Sequence, residues 1–297
     1  MLQFHAAAIM LVGAMTVIGA FGPVHGQAQS TLPATVQFPS ADGATTLTGF
    51  VYTPRDKRAE PAPAIVMMHG RAGPYSTNVK NGGPYNASTL SKRHNMWGES
   101  WSALGYVAVL VDSFGPRGYP GGFGRHTYNE RPDAVNEVTV RPLDAYGALT
   151  YLRSRSDVAP DRIGLQGWSN GGSAALAAMA VDAQRGADQV GFRAALVFYA
   201  ACGLRRHFDA LGYRPYATVL AFHGTADEET SPRVCQKFVE RSRGLGGDIT
   251  LKLYPGASHG FDDPGRQKVS SNRDATADAR ANSEALFGKI LADQQRR

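Results

Sequence analysis

Ser169 stands between glycines two residues to either side, in Gly167-Trp168-Ser169-Asn170-Gly171-Gly172, after an apolar run at 162–166 and before an alanine-rich run at 173–181. Glycines at those offsets suit a strand-to-helix turn too tight for flanking side chains. Such a turn presents the serine hydroxyl at the carboxyl end of the strand, above the positive end of the following helix. A serine hydroxyl attacks a carbonyl poorly until a base takes its proton, and an imidazole serves as that base when an acid fixes its tautomer. Of the eight histidines, His259 has the context for this, in the loop Pro255-Gly256-Ala257-Ser258-His259-Gly260-Phe261 after a strand-like run. His69 and His223 also follow strand-like runs, but each precedes a glycine inside a turn, which suits a structural hydrogen bond. His5 and His25 fall in the N-terminal segment.

The acid expected between Ser169 and His259 is Asp227, at the end of His223-Gly224-Thr225-Ala226-Asp227. Glu228 and Glu229 read instead as acids for the positive end of the next helix. Asp262 and Asp263 lie too close to His259 along the chain to orient it easily, and Ser113 and Ser258 lack the flanking glycines. An oxyanion formed at Ser169 needs two N–H donors. The expected ones are the backbone of Asn170 and that of Arg71, in the turn His69-Gly70-Arg71-Ala72-Gly73. Arg117, Tyr128, Trp168 and Phe261 are the candidate substrate contacts.

The elements that must position these groups alternate along the chain. Residues 35–38 and 46–52 read as a hairpin around Ala41-Asp42-Gly43 at the sheet edge. Unalternated apolar runs at 64–68, 106–111, 194–199 and 218–222 read as strands covered on both faces, and 249–254 alternates as a strand. Helical spacing is found at 88–104, 142–152, 232–245 and 275–291, with Pro232 at a first turn. Strand alternating with helix predicts a mostly parallel sheet with helices on both faces. The Gly-, Pro-, Tyr- and Arg-rich stretch 112–132 is expected to form a substrate wall at the carboxyl edge.

With 297 residues and 43% hydrophobic content the chain can bury a large core. The net charge of +6 is spread among interleaved acids, which serves solubility and attraction of anionic small molecules rather than nucleic-acid binding. No cysteine or histidine spacing suggests a metal. Residues 6–21 are apolar and small residues follow near Gly26 and Ala28, so residues 1–28 resemble a secretory signal peptide without the usual positive start. The expectation is a periplasmic or secreted protein, free of the membrane once the leader is cleaved, with residues 29–297 as one domain. In that setting Cys202 and Cys235 can form a disulfide.

Five motifs together resemble the dienelactone hydrolase family of α/β-hydrolases. They are Val66-Met67-Met68-His69-Gly70, Val111-Asp112-Ser113-Phe114-Gly115-Pro116-Arg117-Gly118, the Ser169 turn, Gly224-Thr225-Ala226-Asp227, and Tyr254 to Phe261. The resemblance implies an α/β-hydrolase fold with an eight-stranded, mostly parallel sheet, and hydrolysis of small-molecule esters or lactones through an acyl-enzyme, without metal or cofactor. Dienelactone hydrolases proper carry a cysteine nucleophile where this chain has Ser169, and a carboxylate-binding arginine where it has Asp263. Arg117 sits one position beyond their second carboxylate-binding arginine. These differences favour a general serine esterase over a dienelactone hydrolase proper. A peptidase or acyltransferase on the same fold, and a non-catalytic binding protein that kept it, are the alternatives.

Overall fold

The structure is a computed structural model that describes residues 1–2, 32–56, 60–79, 82–181 and 191–292. Residues 32–297 form one unit, and the expected signal peptide falls in a separate segment that lies, but for its first two residues, outside the described ones. The strands are β1 (Ala34–Pro39), β2 (Thr46–Tyr52), β3 (Ala62–Met68), β4 (Val107–Asp112), β5 (Val158–Trp168), β6 (Ala194–Phe198), β7 (Thr218–Gly224) and β8 (Ile249–Tyr254). They form one eight-stranded sheet in the order β1-β2-β4-β3-β5-β6-β7-β8. The β1–β2 hairpin at the edge and the β2–β4 pair are antiparallel, and every other pair is parallel.

Central strands read as continuous apolar runs because each face meets its own core. Ala64, Val66 and Met68 of β3 join one core, shared with α2 (Arg141–Arg153), α3 (Asn170–Met179) and α4 (Pro232–Gly244). Ile65 and Met67 face the other, covered by α1 (Lys92–Ala103) and α5 (Ser270–Ile290). The fold is thus the α/β-hydrolase arrangement that the motifs imply.

Element boundaries differ from those expected where a cap or a proline acts locally. The helix expected from residue 88 starts at Lys92, because Ser91 caps it by accepting the His94 N–H at 3.3 Å. Strand β5 begins at Val158, ahead of the expected run, and its register against β3 slips between Ala62 and Ala64. Pro160, which has no N–H for a ladder, lies inside that slip.

His94, in α1, is buried, with Nδ1 within hydrogen-bond reach of the Pro74 carbonyl and Ser91 Oγ. Burial, together with the charge of Arg93, pulls its pKa down to about 3. In the unfolded chain an imidazole protonates below about 6.5, so the unfolded state gains protons first as the pH falls. Stability contributed by neutral His94 is therefore complete above that value and is lost toward pH 3, at up to about 1.4 kcal/mol per pH unit. We expect His94→Gln to flatten the dependence of unfolding free energy on pH between about 6 and 4, as read from urea melts. An unchanged slope would assign the effect elsewhere.

Candidate active site

The turn after β5 carries a strain that locates the site. Ser169 adopts φ 52° and ψ −116°, a left-handed conformation that a serine rarely tolerates. It is held from both sides, since its N–H donates to the Phe198 carbonyl at 2.8 Å and its carbonyl accepts the first bond of α3, from the Ser173 N–H at 2.9 Å. The flanking glycines have steric causes. A Cβ on Gly167 would overlap the Gly171 carbonyl, and one on Gly171 would overlap the carbonyls of Met68 and His69.

His259, in the loop after β8, reaches back to this turn. Its Nε2 lies 3.0 Å from Ser169 Oγ, and its Nδ1 lies 2.9 and 3.1 Å from the two carboxylate oxygens of Asp227. The His259 N–H donates to Glu228 Oε2 at 3.0 Å, and its ring packs edge-on against Tyr199 at 4.7 Å. Tyr199 is itself fixed by a 2.6 Å hydrogen bond to Asp262, a fully buried carboxylate that also accepts from the indole N–H groups of Trp97 and Trp168.

Asp227 has no side-chain exposure and is saturated with donors. Its Oδ1 accepts the N–H groups of Glu229 and Thr230, each at 2.8 Å, and its Oδ2 accepts Thr230 Oγ1–H at 2.9 Å and faces His223 Nε2 at 3.1 Å. Burial alone would raise its pKa, but the hydrogen bonds from His223 and His259 outweigh it and hold the carboxyl well below the usual carboxylate range. Asp227 therefore stays anionic and can orient an imidazole and stabilise its charged form. Thr230 was legible in the sequence, because an Asp followed three residues later by Thr is an Asx-turn pattern. His223 had only the reading of a structural hydrogen bond, and the structure gives that bond to Asp227.

The turn after β3 lies beside Ser169, since a Cβ built on Gly70 would stand 3.5 Å from the serine Cβ. The Ser113 N–H donates to His69 Nε2 at 3.2 Å, so the proton sits on His69 Nδ1, which donates to the Gly70 carbonyl at 2.7 Å. Burial drives the pKa of His69 well below its ordinary value, in keeping with a neutral ring. The Gly70 carbonyl and the Arg71 N–H belong to one peptide plane, so the ring orients that N–H. Among the described residues the Arg71 N–H donates to no backbone carbonyl.

These groups open on a cavity of about 640 Å³ lined by Ser169, Asn170, Arg71, Tyr128, Arg131, Arg205 and further residues. Part of the 112–132 stretch forms its wall, as expected from the sequence. Of the candidate substrate contacts, only Tyr128 lines it. Arg117 is directed away, its guanidinium held by Asp144 at 2.8 Å, Asp42 at 3.0 Å and the Ser113 carbonyl. Trp168 and Phe261 are fully buried in the core on the α1/α5 face. Trp168 turns to the face of β5 away from the cavity, with its N–H on Asp262, and Phe261, two residues beyond His259, packs against Tyr199 and Tyr254. Asp263, at the family's arginine position, binds Arg93 at 2.8 Å.

Glu228 and Glu229 do not serve the end of α4, whose first turn holds no acid. Glu229 takes two hydrogen bonds from Arg71, at 2.8 and 3.0 Å, and stands 3.8 Å from His259 Nε2. Burial pushes its pKa up, but the hydrogen bond from Arg71 and the charges of His259, Arg71 and Arg125 bring it below the usual value. Cys202, in the cavity wall, is joined to Cys235 of α4 across 33 residues of chain, with Cα atoms 5.0 Å apart. A cross-link closing a loop of that length stabilises by roughly 3 to 4 kcal/mol through the unfolded state. Cys235→Ser is expected to lower Tm by several degrees, measured against the wild type with and without a reductant.

Similarity to known proteins follows the fold. The protein YtaP of Bacillus subtilis (strain 168) is 29% identical over 143 residues, which is 44% of this chain and 44% of YtaP. This chain thus spans less than half the length of that relative. The propionate-bound esterase Est2 of Thermogutta terrifontis superposes with a TM-score of 0.59 at 19% identity, over 88% of this chain and 96% of that one. The dienelactone hydrolase-like promiscuous phosphotriesterase P91, from metagenomic libraries, superposes with a TM-score of 0.63 at 16% identity, over 88% and 99%. Residues 47–291 match the dienelactone hydrolase family, so the chain belongs to that family.

Proposed function

We propose that this chain is an exported serine hydrolase that cleaves carboxylic esters or lactones of small molecules through an acyl-enzyme. The observation that carries the reading is the imidazole of His259, within hydrogen-bond reach of the Ser169 hydroxyl on one side and of the Asp227 carboxylate on the other. Ser169 Oγ attacks the carbonyl carbon as its proton passes to His259 Nε2. The N–H groups of Asn170 and Arg71 receive the carbonyl oxygen as it becomes an anion. His259 then gives the proton to the departing alcohol oxygen, leaving an ester of Ser169. A water deprotonated by His259 opens that ester, and the serine recovers its proton. Family membership supports ester hydrolysis, and a cavity of about 640 Å³ suits a small molecule.

Export is supported by the Cys202–Cys235 bridge, since disulfides persist in oxidising compartments. The reading takes residues 1–28 as the leader and 29–297 as one hydrolase domain. A fluorophosphonate probe tests the chemistry, with short-chain p-nitrophenyl esters and lactones alongside. Stoichiometric labelling mapped to Ser169 is expected. Folded wild type that neither labels nor hydrolyses any of these esters would overturn the proposal, in favour of a binding protein.

A further inference from the structure

Arg141 is fully buried at the first position of α2. A cation is disfavoured there by the absence of water and by the positive end of the helix dipole. Its Nε has no hydrogen-bond partner, and among the described residues no carboxylate lies within ion-pair distance of it. Packing alone would be served better by an apolar side chain of the same size. The guanidinium lies 4.8 Å over the Phe114 ring, and its two terminal nitrogens bind two different segments. Nη1 donates to the side-chain oxygen of Asn170, and Nη2 donates to the His69 carbonyl at 2.8 Å. Asn170 Nδ2 is held in turn by Glu137, at 3.2 Å. Glu137 also accepts from Tyr128 and Arg205 of the cavity wall.

We infer that Arg141 is a positioning residue for the oxyanion hole, tying segment 69–71 to segment 169–170 so that the Arg71 and Asn170 N–H groups keep a fixed separation. One planar side chain hydrogen-bonds both segments, which otherwise lie against each other in backbone packing at Gly70 and Gly171. A planar fork presents two donor nitrogens at a fixed separation, whereas an ammonium offers a single nitrogen on a flexible stem. The inference rests on the serine-hydrolase reading, because only that reading places an oxyanion between those two groups.

The test compares p-nitrophenyl acetate with its thiono analogue, whose sulfur accepts hydrogen bonds weakly and so depends little on the hole. Wild type is assayed first, and failure there to hydrolyse any ester rejects the serine-hydrolase reading, not the role of Arg141 within it. Given an active wild type, Arg141→Met should lower kcat on the oxo ester about 100-fold with KM changed less than about threefold. The thiono ester should lose at most about tenfold, so the oxo-to-thiono ratio falls about tenfold or more. Arg141→Lys, able to reach one acceptor, should fall between. If Arg141→Met does not fold, Asn170→Ala retains the backbone N–H while removing one acceptor of the guanidinium, and should lower the same ratio. Equal losses on both esters, or an unchanged ratio in the folded variant, would reduce Arg141 to a structural residue and overturn the inference.

Discussion

If Ser169 is the nucleophile as proposed, Ser169→Ala is expected to lower kcat on short-chain esters by about 10⁵- to 10⁶-fold. The residual rate, above that in water, comes from binding and from the N–H groups of Asn170 and Arg71, which the substitution leaves in place. Stability should change little. Among the described residues the hydroxyl has one hydrogen-bond partner, His259 Nε2 at 3.0 Å, and the strained backbone is held by a bond to the Phe198 carbonyl and one from the Ser173 N–H that do not involve it. The measurement is a burst-phase assay beside a thermal melt. A variant with unchanged Tm and activity within about tenfold of wild type would remove Ser169 from the reaction.

Asp227→Asn should cost about 10⁴-fold in kcat, and its cause can be traced atom by atom. The oxygen at Oδ1 must accept the N–H groups of Glu229 and Thr230, each at 2.8 Å, so the amide of an asparagine settles with its oxygen there. Its NH₂ group then occupies the place of Oδ2, facing His259 Nδ1 at 2.9 Å and His223 Nε2 at 3.1 Å. Two donors cannot face each other, so His259 must move its proton from Nδ1 to Nε2. The nitrogen that faces Ser169 then has no lone pair to take the hydroxyl proton. The loss should fall mainly on kcat, and phosphonate labelling of Ser169 should slow in parallel. Asp227→Asn activity within tenfold of wild type would show that another group orients the ring.

The turn at Ser169 could be read directly because its demands are local. Gly167 answers contacts with backbone four and five residues on, and Gly171 contacts with the end of the adjacent strand. Order along the chain then selected Asp227 and His259, and the apolar runs marked strands covered on both faces. Trp168 and Phe261 lie within two residues of Ser169 and His259 along the chain, but side-chain direction reverses at every residue of a strand and a loop can turn a ring either way. Trp168 therefore entered the core, its N–H on Asp262, although it adjoins Ser169. Arg117, expected from the family's arginine position, is taken up instead by Asp42 and Asp144. Arg141 and Glu137 carried no signal, because an arginine opening a helix and a glutamate in a polar loop look like surface residues until packing buries them.

The sequence by itself determined the order of strands and helices, the elbow and the three side chains able to form a relay, since periodicity, steric exclusion and turn chemistry act between neighbours along the chain. Only the tertiary structure decided which charges meet. It paired Glu229 with Arg71, gave Arg117 to Asp42 and Asp144, and buried Arg141 against the His69 carbonyl and the Asn170 side chain. Such pairings depend on ångström-scale distances between segments far apart in the chain, and those distances are set by how the helices pack on the sheet.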